Sequence, residues 1–400
     1  MRVLVFNCGS SSLKFELIEF DIAGRTAART ERRPRGTIEG VGGAATFTFV
    51  DANSHALRRQ LAIHSHVDAA QLALSELRAG GAAPAVDAVG HRVVHGGTQF
   101  TAPIRLDDAT VAAIDALSEL APLHNPAAVS VIRAARGALG AVPHVAVFDT
   151  AFHQSLPDHA AHYALPAAVA QRHRIRRYGF HGIAHHYLAL RYTEIVAAPS
   201  ASARLITLQL GNGCSAAAIR NGKSVDTSMG FTPLEGLMMG TRSGDVDPSV
   251  VSYLMRREGI SADQAEDWLN HRSGLLGVSG RSNDMRDLLA AVDDDPAARL
   301  AVEMFCYRVS KCVGAYLTVL GGTDAIIFSG GIGAHSPPIR SRVCARLKWC
   351  GVQLDTQRNA ETAGDEARIS ADDSTPVYII PADEELLIAR ETASCLTAAA

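Results

Sequence analysis

The feature that most constrains the fold of this chain is a strand–turn–strand segment that occurs twice, about half a chain apart. The first copy, V-L-V-F-N-C-G-S-S-S-L-K-F-E-L, covers residues 3–17, and the second, L-I-T-L-Q-L-G-N-G-C-S-A-A-A-I, covers residues 205–219. Each copy runs from an apolar stretch through a turn of small residues into another strand. Glycine lets the backbone approach a ligand closely, and successive N–H groups in such a turn form an anion-binding concavity. The repetition therefore predicts two similar halves, each with a turn suited to phosphate.

The first turn also offers polar side chains. Asn7, Ser10, Ser12 and Lys14 provide an amide for a metal, two hydroxyls and one cation. The string G-S-S-S-L-K lacks the second glycine of a Walker A motif, and it lies in a hairpin rather than between a strand and a helix. The sequence motifs of protein kinases are also absent. One serine-rich turn is more often an ordinary tight turn, but a third glycine turn at 330–333 favours phosphate binding.

Composition indicates a globular protein without a nucleic-acid or membrane partner. Apolar residues make up 47% of the 400 residues and the net charge is −3, whereas nucleic-acid binders carry basic patches. The most apolar long stretch, 301–320, contains Glu303, Arg308 and Lys311, which predicts an amphipathic core helix rather than a membrane span. The N-terminus lacks the apolar region of a signal peptide, and the seven cysteines show no C-x-x-C pair. We therefore expect a cytoplasmic protein with free thiols.

The order of strands and helices predicts the α/β class. Apolar patterns predict strands at 2–7, 13–20, 87–97, 143–149, 204–211, 214–220, 323–333 and 377–382, with glycine turns at the ends of 87–97 and 323–333. Helical spacing occurs at 66–80, 107–121, 126–139, 247–258, 261–271 and 296–320. Segments 293–295 and 357–375 are predicted to be solvated loops. Strands followed by strands, and then alternating with helices, indicate two similar α/β halves.

Two arginines lie in apolar, glycine-rich surroundings. Arg92 is in H-R-V-V-H-G-G and Arg242 is in M-G-T-R-S-G-D-V-D-P. Burying an arginine costs free energy unless the guanidinium meets an anion. One interpretation is an internal ion pair, for instance of Arg242 with Asp245 or Asp247. The other is that both guanidinium groups stabilise charge on a phosphoryl group during its transfer.

Three histidines and three carboxylates also have contexts that suit a site. His124 precedes Asn-Pro, His181 lies in Y-G-F-H-G and His95 precedes Gly96–Gly97. An imidazole beside a glycine has room for a ligand, although packing is the commoner role for any one of the three. Asp149 ends a buried strand, at the edge where open α/β sheets place ligands. Glu384 and Glu385 follow a strand, where they would either hold Mg²⁺ or only begin the final helix.

Taken together, the motifs resemble one family. N-C-G-S-S-S-L-K, G-H-R-V-V-H-G-G, A-P-L-H-N-P, V-F-D-T-A-F-H, R-Y-G-F-H-G, F-T-P-L-E-G-L-M-M-G-T-R-S-G-D-V-D-P, S-N-D-M-R, S-G-G-I-G and E-E-L-L-I-A follow one another in the family's order. The chain closely resembles the acetate kinase family, within the superfamily of acetate and sugar kinases, heat-shock proteins and actin. The resemblance spans residues 3 to about 392.

The resemblance implies reversible transfer of the γ-phosphoryl group of ATP to acetate, which gives acetyl phosphate and ADP. It implies Mg²⁺, with Mn²⁺ as an alternative ion, and a homodimer. The implied fold has two ribonuclease-H-like (actin-like ATPase) domains with a duplicated core and an interdomain active-site cleft. Residues 1–150, joined by a C-terminal helix at about 385–400, would form the acceptor-side domain, and residues 151–384 would bind the nucleotide.

The family's motifs also imply roles for individual residues. The implied catalytic residues are Arg92, His124, Asp149, His181 and Arg242, and Arg92 would also bind the acetate carboxylate. Asn7 and Glu384 would hold Mg²⁺. Together with Arg92, the implied acyl pocket comprises Val94, Leu123, Phe180 and Pro233. The implied nucleotide site comprises Ser10, Ser12, Lys14, Gln209, Leu210, Gly211, Asn212, Gly213, Asp284, Met285, Arg286, Gly331, Ile332, Gly333, Ala334 and His335.

The role of Asp149 has three interpretations. Acetate is ionised near neutral pH, because carboxyl pKa values are about 4–5, so its attack on phosphorus needs no general base. We therefore favour direct in-line transfer, with an Asp149 that orients Arg92 or a metal-bound water. A covalent phosphoaspartate at Asp149 is the weaker alternative.

Acyl size and nucleotide choice are less constrained. Val94 favours acetate, with propionate as a slower substrate, because one methylene is worth only about 1–3 kcal/mol. Gln209 replaces a histidine common in the family and Ala334–His335 replaces the usual Glu-Asn, which leaves the preference for ATP over GTP or pyrophosphate open. The alternative functions are a propionate or butyrate kinase of the same family and a non-catalytic ATP-binding sensor. Cys8 and Cys214, inside the two turns, suggest thiol-sensitive activity.

Overall fold

A computed structural model describes residues 1–19, 34–79, 86–122, 124–140, 142–197 and 203–398 of the chain. Packing divides the chain into two units. The first comprises Met1–Phe152 together with Asp383–Ala400, and the second comprises His153–Ala382. Within the described ranges, none of the helices combines the length and the apolarity needed to cross a bilayer.

The first unit is built on a mixed sheet of eight described strands. These are β1 (Arg2–Cys8), β2 (Ser12–Glu19), β3 (Arg35–Glu39), β4 (Gly43–Val50), β5 (Ala56–Ile63), β6 (Ala88–Val93), β7 (Ile104–Arg105) and β8 (His144–Phe148). They lie in the order β5-β4-β3-β2-β1-β6-β8-β7. The helices of this unit are α1 (His66–Ala79), α2 (Asp108–Ala116), α3 (Asn125–Ala138) and, at the C-terminus, α15 (Glu384–Ala398).

The second unit is built on a mixed sheet of six described strands. These are β9 (Arg204–Leu210), β10 (Cys214–Arg220), β11 (Lys223–Thr227), β12 (Ala325–Ser329), β13 (Ala367–Arg368) and β14 (Val377–Ile379), in the order β11-β10-β9-β12-β14-β13. Its helices are α4 (Asp158–Ala161), α5 (Ala167–Arg172), α6 (Gly182–Ile195), α7 (Pro248–Glu258), α8 (Ala262–His271), α9 (Gly274–Ser279), α10 (Met285–Ala291), α11 (Pro296–Leu320), α12 (Gly330–His335), α13 (Pro337–Ala345) and α14 (Thr356–Glu361).

The two sheets repeat one plan, which confirms the predicted α/β class with a duplicated core. In the first unit, β1–β2–β3 run antiparallel while β1, β6 and β8 run parallel. In the second, β9–β10–β11 run antiparallel while β9, β12 and β14 run parallel. The central parallel strands β8 and β12 are buried along their whole length, as expected for strands covered on both faces. The two hairpins noticed in the sequence therefore occupy equivalent positions.

Two elements differ from the predictions. The strand predicted at 323–333 ends at Ser329, because Gly330 adopts φ +75° and begins α12 instead of a turn. The loop predicted at 357–375 contains most of α14 and the short strand β13. Helix α14 begins where the Asp355 carboxylate accepts a hydrogen bond from the Arg358 backbone N–H, a cap that the prediction overlooked.

Candidate active-site residues in each unit

In the first unit, the carboxyl ends of β1, β6 and β8 bring Asn7, Arg92 and Asp149 together. Arg92 Nη2 donates to Asp149 Oδ2 at 2.6 Å, and Arg92 Nε donates to Asp149 Oδ1 at 3.3 Å. Arg92 Nη1 donates to the Asn7 side-chain oxygen at 3.3 Å and to the Cys8 carbonyl oxygen at 3.1 Å. The side chain of Asp149 is 1% exposed and that of Arg92 is 14% exposed. This two-pronged pairing fixes the plane of the guanidinium group.

The charge of Arg92 is secured by its neighbours. Burial disfavours the charged form, but the Asp149 and Glu384 carboxylates outweigh burial and raise the pKa of the Arg92 guanidinium. Arg92 thus forms the internal ion pair considered as one of its two interpretations. The pair lies at the edge of the sheet where ligands bind in open α/β folds. The second interpretation, in which the guanidinium group meets a phosphoryl group, is therefore also compatible with the structure.

Helix α15 delivers two glutamates to Asn7. Asn7 Nδ2 donates to Glu384 Oε2 and to Glu385 Oε1, both at 2.9 Å. Burial, and to a lesser extent the like charge of Glu384, raises the pKa of Glu385, while Lys14 opposes the shift. Among the described residues there is no cluster of three or more His, Cys, Asp or Glu that could hold a metal. Mg²⁺ requires fewer protein ligands than that, because waters and substrate phosphates complete its shell.

The first hairpin turn presents its predicted side chains to solvent. The Gly9 N–H donates to the Ser12 carbonyl oxygen at 2.9 Å, which closes the turn, and Ser10 and Lys14 are exposed. His66, at the start of α1, lies 3.0 Å from the Gly9 carbonyl oxygen through its Nε2. Sequence analysis did not single out His66, since nothing local to residue 66 indicates a contact with residue 9.

The loop after β6 is held by a residue that sequence analysis did not assign. The fully buried Asn125 accepts from the His95 backbone N–H at 3.1 Å and donates to the His95 carbonyl oxygen at 3.0 Å. Val94 precedes this clamp and is 4% exposed, and His124 immediately precedes α3. Leu123 lies outside the described residues. The motif A-P-L-H-N-P contains this asparagine next to His124, but nothing local to the motif indicates a contact with residue 95.

In the second unit, His181 begins a hydrogen-bonded chain of buried side chains. His181 precedes α6 in the left-handed conformation (φ +54°), and its Nδ1 lies 2.9 Å from Ser215 Oγ. The same hydroxyl lies 2.7 Å from His185 Nε2, and His185 Nδ1 lies 2.7 Å from Thr207 Oγ1. Burial holds the pKa of His185 well below its usual value, with further contributions from His153 and His181, so this ring is neutral. The chain fixes the orientation of the His181 imidazole.

Arg242 lies on the same side of the second hairpin turn as His181. A methyl group placed on Gly213 would lie 3.4 Å from His181 Cε1 and 3.9 Å from Arg242 Nη1, so both side chains border this glycine. Arg242 Nη1 donates to the Pro233 carbonyl oxygen at 3.3 Å. Phe180, the residue before His181, is 2% exposed. The structure therefore places His181 and Arg242 beside the Gly213 turn, with Pro233 bound to Arg242.

The ion pair considered for Arg242 does not form. Asp245 Oδ1 accepts from the Gly236 backbone N–H at 2.8 Å, and Asp247 caps α7 by accepting from the Ser249 N–H at 2.8 Å. Within the described ranges, Arg242 makes no ion pair, and burial lowers its pKa from the ordinary arginine value. Its guanidinium charge therefore lacks a carboxylate counterion in the second unit.

The predicted nucleotide residues of the second unit also adjoin one another. Gln209, at the end of β9, pairs with Ser329, at the end of the parallel strand β12. Gly330 then passes so close to the Leu210 carbonyl oxygen that a side chain there would collide with it, and α12 carries Gly331 to His335. The buried Gln209 Oε1 has no hydrogen-bond partner among the described residues, which leaves an acceptor for a ligand.

Helix α10 brings the remaining predicted residues to the same turn. Asn283 Nδ2 donates to Asn212 Oδ1 at 3.1 Å, just before α10 begins at Met285. Asp284 caps this helix by accepting from the Arg286 N–H at 2.8 Å, and it also pairs with the Arg286 guanidinium at 2.6 Å. The Arg286 side chain is 89% exposed, so a ligand can reach it.

One buried arginine, not predicted, positions α12. Arg340 is fully buried and donates to the Gly333 and Ala334 carbonyl oxygens at 3.0 and 2.9 Å, and to Asn359 Oδ1 at 2.8 Å. Most hydrogen bonds of this guanidinium group go to backbone carbonyl oxygens. Every residue has such an oxygen, so the sequence does not indicate which ones Arg340 contacts.

The two cysteines in the hairpin turns are poorly suited to thiol chemistry. All seven cysteines are free thiols. Burial raises the pKa of both Cys8 and Cys214 to about 12. Because the thiolate is the reactive form, the structure argues against the hypothesis of thiol-sensitive activity.

Comparisons with known sequences agree on one family. The sequence model of the acetokinase family matches residues 2–390. The chain is 47% identical over 415 residues to acetate kinase of Chloroherpeton thalassium, with 99% of both chains covered. It is 48% identical over 411 residues to acetate kinase of Solibacter usitatus, with 99% of this chain and 98% of the relative covered.

Solved structures give the same result. The crystal structure of Porphyromonas gingivalis acetate kinase is similar with a TM-score of 0.89 and 39% identity, and the match covers 99% of each chain. The crystal structure of a propionate kinase from Francisella tularensis is similar with a TM-score of 0.90 and 38% identity, and the match covers 98% of this chain and 99% of that chain.

Proposed function

Because the chain belongs to the acetokinase family, it is a phosphotransferase with a carboxyl group as acceptor, and we propose that it transfers the γ-phosphoryl group of ATP reversibly to acetate by direct in-line attack. The arrangement of Arg92 carries this proposal. Four of its five N–H groups are engaged by Asp149, Asn7 and Cys8. One N–H on Nη2 is left for a ligand, and a guanidinium group is well suited to a carboxylate.

Asp149 serves this reaction as a positioning residue. Both of its carboxylate oxygens already accept hydrogen bonds from Arg92. The acetate oxygen that attacks phosphorus carries no proton near neutral pH, so a base at Asp149 has nothing to remove in the forward direction. The ion pair therefore supports a role in which Asp149 fixes the guanidinium group that binds the acceptor, rather than a role in which Asp149 accepts a proton.

In the second unit, His181 and Arg242 stabilise charge on the transferring phosphoryl group. Arg242 has no carboxylate partner among the described residues, so its charge is available to phosphoryl oxygens. The His181 ring is held through Ser215, which keeps its other nitrogen in a fixed direction. Both side chains border Gly213, whose missing side chain leaves space for a phosphoryl group.

Mg²⁺ fits the carboxylates beside Asn7. Glu384 and Glu385 supply hard oxygen donors, and a divalent cation would relieve the unfavourable burial that raises the Glu385 pKa. Asn7 turns its Nδ2, rather than its oxygen, toward these carboxylates, so binding through the Asn7 oxygen requires the amide to rotate. When bound, Mg²⁺ supplies neutralisation of charge on the ATP phosphates.

ATP and ADP are the nucleotide substrates of a kinase of this family, and we assign their site to the turns of the second unit. The convergence of Gln209, Asn212 and α12 at one sheet edge supports this assignment. Gln209, whose Oε1 is an open acceptor, occupies a position where the family commonly has histidine. We therefore expect Gln209 to influence the preference for ATP over GTP, which kcat/KM values for the two nucleotides would measure.

Acetate is the favoured acyl acceptor, and propionate is the second candidate. The similarity to the Francisella propionate kinase supports the alternative. Val94, buried next to the Arg92 strand end, supports acetate because it limits space for a longer chain. One methylene changes binding by about 1–3 kcal/mol, so we expect kcat/KM for propionate to be lower by roughly one to two orders of magnitude.

The surface of α7 supports a homodimer. No residue of this helix is buried, and Val250 and Tyr253 are 39% and 55% exposed. We propose that these exposed apolar side chains lie in the contact between two copies of the chain. Sedimentation should therefore give about twice the 42.3 kDa chain mass. The cytoplasmic location inferred from the thiols stays a prediction.

A hydroxylamine assay for acyl phosphates tests the proposed activity. Purified protein with MgATP should form hydroxamate from acetate, more slowly from propionate and least from butyrate. Equal kcat/KM values for acetate and propionate would contradict the argument from Val94. Absence of hydroxamate from all three acids, with folded protein, would contradict the activity itself.

A further inference from the structure

A charged cavity lies at the end of the parallel strands of the first unit that is opposite to Asn7, Arg92 and Asp149. Its volume is about 440 Å³, and its lining includes Arg105, Arg133, Arg136 and His144. His144 begins β8, whereas Asp149 follows the last residue of the same strand. Five residues of parallel strand span about 16 Å. This cavity is therefore separate from the residues proposed to bind the acyl acceptor.

Three arginines from two elements converge on the cavity. Arg105 lies on β7, while Arg133 and Arg136 lie one turn apart on the same face of α3. Within the described part of the chain, the Arg105 guanidinium makes no ion pair. Each of the other two engages one nitrogen with an aspartate at 2.8 Å, Arg136 with Asp108 and Arg133 with Asp115.

The two aspartates do not saturate this charge. Asp108 is 97% exposed and Asp115 is 41% exposed, and such surface pairs are weak and screened by salt. Three guanidinium groups against two carboxylates leave an excess positive charge. Each arginine also retains N–H groups for a ligand, because a guanidinium carries five.

A buried histidine supplies an independent indication of a ligand. His144 is 3% exposed, and its Nδ1 lies 2.9 Å from His91 Nε2. The other ring nitrogen, His144 Nε2, has no hydrogen-bond partner in the described structure. Burial, and to a lesser extent the charge of Arg136, lowers the pKa of the His144 ring to about 4, although the Leu139 carbonyl oxygen opposes the shift, so the ring is neutral. If His91 Nε2 donates to His144 Nδ1, the neutral His144 ring carries its proton on Nε2 and can donate it to an anion.

The cavity has room for more than a single ion. A side chain placed on Gly137 of α3 would meet nothing within 4 Å, so the open space extends to the helix backbone. Its volume lies within the range of small-molecule sites, about 300–1,000 Å³. Guanidinium forks match the paired oxygens of phosphate groups in geometry and charge.

We propose that this cavity binds a phosphorylated small molecule, with Arg105, Arg133 and Arg136 on the phosphate oxygens and His144 Nε2 as a neutral donor. Two residues link this cavity to Arg92, which is proposed to bind the acyl acceptor. His144 contacts His91, and His91 immediately precedes Arg92 on β6. The proposal does not depend on the acyl substrate of the enzyme.

Nitrogen NMR of labelled histidine provides a reporter within the cavity. Pyrophosphate is the probe, titrated in EDTA so that no metal complex forms, and the His144 signals are assigned with His144→Gln. We expect a saturable shift of the His144 Nε2 resonance. Pyrophosphate bound at the proposed active site would reach His144 only through His91, so a shift that persists unchanged in the arginine double variant described below is assigned to the active site and not to the cavity.

Three variants complete the test. The double variant Arg133→Gln/Arg136→Gln should weaken the pyrophosphate dissociation constant at least tenfold, and Gly137→Leu should do the same by filling the cavity without removing charge. Arg58→Gln removes the same charge from an exposed position on β5 and should leave the constant unchanged. Thermal unfolding verifies that each variant is folded. The proposal is overturned if His144 shows no saturable shift, or if the double variant and Arg58→Gln bind pyrophosphate equally.

Discussion

Replacement of Asp149 by asparagine distinguishes a positioning role from a proton-accepting role. Removing one partner of a buried ion pair costs about 3–5 kcal/mol, because the other charge is left uncompensated. Arg92 retains its bonds to Asn7 and Cys8, and the asparagine oxygen retains one acceptor. We therefore expect the lower value, about 3 kcal/mol. This cost concerns folding stability; if the displaced guanidinium also loses about 3 kcal/mol of acceptor binding, kcat/KM for acetate falls about 100-fold.

The assay measures kcat and KM for acetate and for ATP across pH 5.5–9 in Asp149→Asn. We expect the loss mainly in KM for acetate, with KM for ATP nearly unchanged and the shape of the pH profile retained. The matched control is Asp372→Asn, which removes the partner of Arg358 from an exposed ion pair and should change neither constant. A fall in kcat of about 10⁴-fold at unchanged KM, with loss of one limb of the pH profile, would refute the positioning role.

Three further predictions concern the metal, the histidine chain and the thiols. Glu384→Gln should raise the Mg²⁺ concentration needed for half-maximal activity at least tenfold, as measured at fixed ATP, and an unchanged Mg²⁺ dependence would exclude Glu384 as a ligand. Ser215→Ala should lower kcat about 10- to 100-fold without changing KM for acetate, because the His181 ring loses its orienting hydroxyl; equal kcat in both proteins would contradict this role. N-ethylmaleimide at pH 7 should leave Cys8 and Cys214 unmodified by mass spectrometry, since burial raises both pKa values to about 12. Rapid labelling of either cysteine in the folded protein would show that the turn opens.

The duplicated core was predictable because its signals are local. Apolar strands, glycine turns and their spacing are properties of short segments, and the two hairpins repeat them. Asn7, Arg92 and Asp149 were also predictable, because parallel strands end at one sheet edge and each residue lies at a strand end. The positions of these three residues at the ends of predicted strands were therefore enough to predict that they lie close together.

Residues that act through distant partners were not predictable. Ser215 contacts His181 and His185 across more than 29 residues, and Asn125 clamps His95 from 30 residues away. Such hydrogen bonds depend on how elements pack, and no periodicity in the sequence marks them. For the same reason the sequence offered Asp245 and Asp247 to Arg242, whereas the structure uses them for a turn and a helix cap.

The stereochemical course at phosphorus tests direct in-line transfer most directly. The substrate is ATP made chiral at its γ-phosphorus with oxygen isotopes and sulfur, and the product is acetyl phosphate analysed for configuration. A single displacement by the acetate oxygen predicts inversion at phosphorus. Retention would require two displacements and would contradict the account in favour of a phosphoenzyme such as phosphorylated Asp149.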